Sequence, residues 1–262
     1  MAHIELGYDN PTLRTPLVNL LLKGTDPWDS IQKRLSGTKS RTPVTIDMMK
    51  VIKRHLFEST MDIFTTLAFW AACTLIWNGS LRVHEALSRL QWEHDPQTTL
   101  MHEDIQILSE KIEGKERFFI RILIKSPKED RIGRDMSLEI FGNDTFLCPV
   151  RAIRKYIREK NRLNLETHNM PFFTKTDNSG YTGNDFNKHL TTLTADVTAN
   201  SNAIVRSHSL RAGVPSELAK RGADPVQIQG VGRWQSEAWK DYCKLGRKKR
   251  LNITDQLCST IS

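Results

Sequence analysis

Apolar residues recur at helical spacing from residue 45 onward. Ile46, Met49, Ile52 and Leu56 share one face, Thr45 stands where a cap accepts orphan amides, and Asp47 places an acid in the first turn. This pattern predicts a helix beginning just after Pro43. A second helix is predicted from Met61 to about Trp77, and it is apolar nearly all round. That is the signature of a central helix buried on every side. Asn78, Gly79 and Ser80 predict a turn, with a third helix starting near Leu81. The period then changes. Ile105–Leu108, Phe118–Ile124 and Met136–Ile140 are rich in Ile, Phe and Leu and are separated by polar turns, so three short strands are predicted. Helical patterns return at Pro149 to about Lys160, Asp185 to Val197, His208 to Arg221, Asp224 to Gln229 and Ser236 to Leu245. Asp224 followed by Pro225 is a strong start signal, because Asp caps free amides and Pro fits the first helical position. Upstream, Thr12–Leu22 predicts one short helix, after which Gly24, Pro27, Ser36, Gly37, Ser40 and Pro43 break any pattern. The expected fold class is therefore α+β, mostly helical, with a small antiparallel β-sheet inserted after the third helix.

Composition narrows the class without naming a function. The chain has 262 residues, 39% of them hydrophobic and 26% charged, which suits a packed domain and excludes wholesale disorder. The most apolar stretch, Leu67 to Trp77, is far short of the roughly 18 residues that a spanning helix needs. Met1 to Asn10 is polar and acidic where a secretory leader has a basic and then an apolar run, so an intracellular location is the expectation. Cys73, Cys148, Cys243 and Cys258 lie far apart and form no CxxC pair. No structural zinc site is expected from that spacing; reduced, mostly buried thiols are. The formal charge is +8. Gln32–Val44 carries Lys33, Arg34, Lys39 and Arg41 without an acid, and Cys243–Ser262 carries Lys244, Arg247, Lys248, Lys249 and Arg250 against Asp255. Those two segments hold nine of the 38 basic residues and one of the 30 acidic ones, leaving 29 of each sign elsewhere. Two basic flanks on a neutral body suit a grip on a phosphate backbone, and a solvated linker and tail account for them equally well.

Three polar constellations carry the chemistry. Gly79-Ser80-Leu81-Arg82-Val83-His84-Glu85-Ala86-Leu87 sets Arg82 at a helix start with Glu85 three residues on, on the same face, where the carboxylate can hold the guanidinium still. Ser207-His208-Ser209-Leu210-Arg211 sets an imidazole and a guanidinium one helical turn apart, facing the same way. Gly230-Val231-Gly232-Arg233-Trp234 is followed, eight residues after Trp234, by Tyr242. Singly, an Arg–Glu pair is most often a surface ion pair, and His208 alone is most often a helix N-terminal histidine.

In order and spacing, the three segments resemble the tyrosine recombinase, or phage integrase, family over roughly residues 41–245. A hairpin box at Ser126-Pro127-Lys128-Glu129-Asp130 adds to the resemblance. Trp234, where many family members have a second histidine, gives the box the style of DIRS-like and Crypton-like mobile-element recombinases. The resemblance implies a tyrosine recombinase/type IB topoisomerase-like catalytic domain. Its work is DNA strand cleavage and rejoining through a 3′-phosphotyrosyl intermediate, with no cofactor and no metal. Phosphodiester cleavage of this kind needs a nucleophile, fixed positive charge over the non-bridging oxygens, and an acid for the leaving 5′ oxygen.

The carry-over makes Tyr242 the nucleophile, Arg82 and Arg211 the phosphate clamp and His208 the general acid/base. Lys128 becomes the acid for the leaving oxygen, with Lys125 a nearby competitor. Trp234 becomes a phosphate hydrogen-bond donor that also packs the nucleophile's helix. Glu85 is a support that positions a cation, and Trp239 is assigned to packing. Lys33, Arg34, Lys39, Arg41, Lys125, Arg233, Arg247, Lys248 and Lys249 are the expected DNA contacts. Implied partners are double-stranded DNA and further copies of the chain, as a tetramer on paired sites, with no membrane.

Residues 1–40 are expected to be the remnant of an N-terminal core-binding region with a basic linker, 41–245 the catalytic domain and 246–262 a basic tail. Ile253, Leu257 and Ile261 could form an apolar edge that docks on a neighbour. Gly246 to Leu251 could instead serve as a nuclear localisation signal, which fits a nuclear location for a eukaryotic mobile element and a nucleoid-associated one otherwise. Two other classes remain open at this point: a DNA-binding protein that kept the fold and lost catalysis, and a type IB topoisomerase.

Overall fold

The structure is a computed structural model; it describes residues 40–125, 135–199 and 203–233, with backbone alone at 40, 41 and 203. The chain divides into two units, Met1–Ser40 and Arg41–Ser262.

Helix α1 (Ile46–Glu58) starts as its sequence dictates. The Thr45 hydroxyl accepts from the Met48 amide at 3.2 Å, and Met49, Ile52 and Leu56 are buried. Helix α2 (Ile63–Asn78) is capped by Asp62, which accepts from Thr65 N at 2.9 Å, and it is buried on all sides from Ala68 to Trp77. A polar residue inside such a helix must bond its own backbone, and Thr74 Oγ1 does so, donating to Trp70 O at 3.0 Å. At the C-terminus of α2 a Cβ on Gly79 would lie 2.6 Å from Ile140 Cδ1 and 3.1 Å from Leu75 O, so glycine gives the Ile140 side chain of the sheet its close approach to the helix end. Ser80 follows with φ 45°, a left-handed backbone that turns the chain sharply. The helix expected from near Leu81 is a single turn, α3 (Val83–Ala86), closed by Leu87 N donating to Val83 O at 2.8 Å and ended where the backbone becomes extended at Leu87.

A three-stranded antiparallel sheet comes next, in the order β1 (Ile105–Ile112), β2 (Lys115–Ile124), β3 (Met136–Phe141). Ile105 pairs with Ile122, and Ile120 pairs with Ile140. Ile120, Ile122 and Ile124 alternate inward at the period of two that burial on one face requires. The β1–β2 hairpin is longer than its apolar pattern predicts. Its outer half is exposed on both faces and turns through Glu113 and Gly114, both at positive φ, so it carries no hydrophobic alternation to read.

Helix α4 (Pro149–Arg162) packs along α2, burying Val150, Ile153 and Tyr156. Tyr156 Oη donates to Phe172 O at 3.1 Å and accepts from Thr174 N at 3.0 Å. Helix α5 (Gly183–Leu193) begins at a Thr182/Asp185 capping box and ends where Thr194 Oγ1 donates back to Leu190 O at 2.8 Å. A short α6 (Ala195–Thr198) follows, so the expected Asp185–Val197 helix is broken once.

The expected His208–Arg221 helix is also two helices, α7 (Ser207–Arg211) and α8 (Gly213–Arg221). Pro215 has no amide proton to offer the Arg211 carbonyl, and the helix is interrupted at Ala212. Helix α9 (Pro225–Gly232) begins at the Asp224 cap, which accepts from Gln227 N at 2.9 Å. Cys73 and Cys148 are buried and free; Cys243 and Cys258 lie outside the described residues. Among the described residues no helix is long and apolar enough to cross a membrane.

Candidate functional site

Three elements bring four charges to one place. Arg82 caps α3 and Glu85 sits three residues later, so the carboxylate folds back on the helix start. Its Oε2 accepts from the Arg82 amide at 2.8 Å and its Oε1 from Arg82 Nη1 at 3.0 Å. Arg211, at the end of α7, reaches the same carboxylate with Nη1 3.9 Å from Glu85 Oε2. Arg233, just past α9, donates from Nη2 to Glu85 Oε2 at 2.7 Å. Among the described residues one carboxylate therefore faces three guanidiniums, an excess of two positive charges in a largely desolvated corner. A charged guanidinium cannot be neutralised at accessible pH, so the excess is permanent and favours a doubly charged or multidentate anion such as a phosphate.

Glu85 is well suited to this position. Burial alone would push its carboxyl up, but the charge and hydrogen bond of Arg233, the Arg82 amide and the charge of Arg211 together hold it below the usual carboxylate range. It stays ionised wherever the fold is intact at neutral pH.

The three arginines differ in what they can offer. Arg211 is 4% exposed and is turned onto main chain, donating from Nη1 to Ser80 O and from Nη2 to Gly232 O at 3.0 Å. Arg233 Nη2 also lies 3.4 Å from Ser80 O. The Arg82 side chain is 30% exposed, against 5% for Arg211 and 11% for Arg233, and is the guanidinium of the three that opens outward. His208 lies on the first turn of α7, half-buried, one turn before Arg211.

The position of α7 is fixed from two sides. Asn187 Oδ1 on α5 accepts from Ser207 N at 2.8 Å, and Val44 N donates to Ser209 O at 2.8 Å. Trp77 Nε1 on α2 donates in turn to Val44 O at 3.0 Å. Glycine at 213 is required beneath this joint. A Cβ there would overlap the Trp77 indole nitrogen and sit 2.5 Å from Val44 O.

Two of the residues expected to touch DNA make contacts within the protein. Lys125 Nζ lies 2.6 Å from Asp104 Oδ2 and donates to Pro96 O at 2.7 Å, with a side chain 13% exposed. Arg233 is bound to Glu85 as described. Lys128, Trp234 and Tyr242 lie outside the described residues, as do Lys33, Arg34, Lys39, Arg247, Lys248, Lys249 and the side chain of Arg41. Among the described residues no group of three or more His, Cys, Asp and Glu could hold a metal ion.

Comparison with known proteins matches the fold. No protein-family model matches the sequence, and no curated protein matches it. Solved structures do. A XerH site-specific recombinase in a post-cleavage complex with palindromic difH DNA superposes with a TM-score of 0.57 at 14% identity, over 82% of this chain and 52% of that one. A XerA recombinase superposes with a TM-score of 0.52 at 16% identity, over 83% of this chain and 64% of that one. The chain has the tyrosine recombinase fold. A mutant Flpe–DNA Holliday junction complex superposes with a TM-score of 0.50 at 15% identity, over 88% of this chain and 55% of that one. The recombinase fold here spans about half the length of the XerH chain that it matches. Within that fold, Arg82, Glu85, Arg211 and Arg233 form the cationic corner, and His208 stands beside it.

Proposed function

We propose that this chain cleaves and rejoins DNA strands through a covalent 3′-phosphotyrosyl intermediate, acting as a site-specific recombinase or integrase of a mobile element. The observation that carries the reading is the corner itself: three guanidiniums around one buried carboxylate, one turn from a histidine, on a tyrosine recombinase fold. A scissile phosphate needs fixed positive charge that grows in value as its oxygens gain charge in the transition state, and preorganised guanidiniums supply that without reorganising.

In this reading Tyr242 Oη forms the new bond to phosphorus while the bond to the 5′ oxygen breaks. His208 takes the phenol's proton, and Lys128 gives one to the departing 5′ oxygen. A phenol with a pKa of about 10 needs such an acceptor at neutral pH. Arg82, the outward guanidinium, receives the phosphate, and Arg211 adds its charge from beneath while holding Ser80 and Gly232. Trp234 donates to a phosphate oxygen. Because the bond energy is kept in the phosphotyrosyl link, a free 5′ hydroxyl from another duplex can attack it and rejoin the strands without a nucleotide cofactor.

The same reading makes residues 1–40 the end of a core-binding region with a basic linker, 41–245 the catalytic domain and 246–262 a basic tail. It pairs two DNA sites in a tetramer, and in a eukaryotic host it places the work in the nucleus.

The test uses the full chain and a pool of nicked duplexes with a randomised core. A denaturing gel should show a covalent protein–DNA species with the wild type and none with Tyr242→Phe. DNA binding without an adduct at any sequence would favour a catalytically inactive DNA-binding protein. An adduct that survives Tyr242→Phe would remove the nucleophile assignment. Relaxation of supercoiled plasmid with no selected site would instead support a type IB topoisomerase.

A further inference from the structure

Arg233 is the residue at which local preference and tertiary placement conflict most sharply. Its backbone is left-handed, with φ 54° and ψ 41°, a region where a β-carbon is strained and glycine is the ordinary choice. Its side chain is 11% exposed, and its Nε is buried with no hydrogen-bond partner among the described residues. A buried donor left unpaired is unfavourable, and a long cation in a desolvated corner already holding two others is more so. Nothing in the helix end itself requires arginine there, since a helix closing in the left-handed region is served best by glycine. Besides a long 3.4 Å contact from Nη2 to Ser80 O, what the side chain gains is the 2.7 Å bond to Glu85, the carboxylate that also holds Arg82 and faces Arg211.

We infer that Arg233 is a positioning residue: by fixing Glu85 it sets where the Arg82 and Arg211 guanidiniums stand, and it does so without touching DNA. This rests on the recombinase reading for its consequence but not for its geometry. Glu85 Oε2 is shared by Arg233 and the Arg82 amide, while Oε1 takes Arg82 Nη1. If Arg233 is removed, the Arg82–Glu85 pair keeps its local bonds but loses its tie to the end of α9, so the pair can shift as a unit relative to Arg211, which the Ser80 and Gly232 carbonyls hold. The end of α9 is pinned by the same corner through Arg211 to Gly232 O, so the residue from which the chain continues to Trp234 and Tyr242 is held by two guanidinium contacts.

Among the described residues the charged groups facing Glu85 are Arg82 at the start of its own helix, Arg211 from α7 and Arg233 from beyond α9. Arg233 is the strongest of the influences that keep the carboxyl ionised against its burial. Its removal should therefore raise the pH below which the corner fails.

The experiment compares wild type, Arg233→Ala, Arg233→Lys and Glu85→Gln on a nicked duplex recovered from the randomised pool. It measures equilibrium DNA affinity with its salt dependence, single-turnover adduct formation at saturating DNA across pH, and arginine Nε–Hε NMR signals of the free protein. Arg233→Ala should leave affinity and salt slope within about threefold and slow adduct formation at least tenfold. Its acid limb should move to higher pH. The Arg82 and Arg211 NMR signals should shift or lose exchange protection, and Arg233→Lys should recover part of each effect. Combined with Glu85→Gln, the losses should not add, because both act through one contact.

A fall in affinity and salt slope with an unchanged single-turnover rate would make Arg233 a phosphate contact and overturn the inference. So would unaltered Arg82 and Arg211 signals. The NMR comparison needs no activity. If the wild type forms no adduct, the recombinase reading fails by itself while the positioning claim is still decided by the spectra.

Discussion

A methyl group at position 213 should disable the protein from a distance. Gly213 lies two residues after Arg211, against the Trp77 indole and the Val44 carbonyl, and a Cβ there would be 2.5 Å from Val44 O and 2.7 Å from Trp77 Cδ1. Ordinary contacts at such atoms are about 3.5–4.0 Å, so something must move by about 1 Å. Neither neighbour is a flexible side-chain tip. One is backbone, the other a ring whose Nε1 is hydrogen-bonded to that same backbone at 3.0 Å. Forcing extra volume into a packed joint costs about 1–3 kcal/mol, and losing the Trp77–Val44 bond adds about 1 kcal/mol. Gly213→Ala should therefore destabilise the fold by about 2–4 kcal/mol, or roughly 5–15 °C in Tm for a domain of this size. Chemical and thermal unfolding followed by tryptophan fluorescence would measure it. Gly230 in α9 is the internal control, because among the described residues no atom beyond its own helix backbone and chain neighbours lies within 4 Å of a Cβ built there. Gly230→Ala should be neutral, or stabilising by about 0.5–1 kcal/mol through helix propensity. If Gly213→Ala unfolds within about 0.5 kcal/mol of wild type, the joint between α7, Val44 and Trp77 is not as tight as argued and the reasoning fails.

Further outcomes follow from the same charges. Glu85→Gln leaves three buried or half-buried guanidiniums without their carboxylate and should destabilise by about 3–5 kcal/mol at pH 7. Because the folded carboxyl titrates below its unfolded value, its stabilisation is full above the unfolded pKa and is lost as pH falls through the folded one. Acid unfolding of Glu85→Gln should accordingly lack the part of the pH slope that the wild type shows there. Lys160, 1% exposed on the inner face of α4, has its ammonium pushed down to about 8 by burial, with Glu166 opposing. The unfolded chain then binds the extra proton between that value and about 10.4, so wild-type stability should rise with pH over this window. Lys160→Met should abolish the rise, and an unchanged slope would show that the ammonium is not desolvated. Arg82→Ala should slow single-turnover adduct formation by about 10²–10³, the effect of losing one preorganised donor; an equal rate would exclude Arg82 from the phosphate.

Local signals carried most of the framework. Thr45, Asp62, Thr182 and Asp224 all cap helices, as their residue types favour. The Arg82–Glu85 spacing announced a pair that exists, because three residues on a helix start are neighbours whatever the rest of the chain does. The partnership of Glu85 with Arg233 could not be seen that way, since 148 residues separate them and no local rule connects the two. The same holds for Lys125 and Asp104, and for the carbonyls of Ser80 and Gly232 that engage Arg211. One missed feature did leave a trace. Lys160 follows Ile153 and Tyr156 on the apolar face of α4, and its Nζ donates to Phe172 O at 3.1 Å. A lysine in register with core positions was the signal. Pro215 was likewise visible, and its missing amide separates α7 from α8.

Helix α9 buries only Ile228 and Gly232, yet two of the long-range contacts of the charged corner depend on it. Elements with so few buried groups open at a fraction of the global unfolding free energy. Opening of α9 alone would release Gly232 from Arg211 and Arg233 from Glu85, while the Arg82–Glu85 pair, confined to one turn, would persist. The corner is thus two-tiered, with a permanent local half and a half present only while α9 is docked. Its time in the assembled state is governed by the local opening equilibrium of eight residues, and amide exchange at 228–232 would read that equilibrium directly. A substitution that leaves overall melting untouched but speeds exchange there would still dismantle the corner.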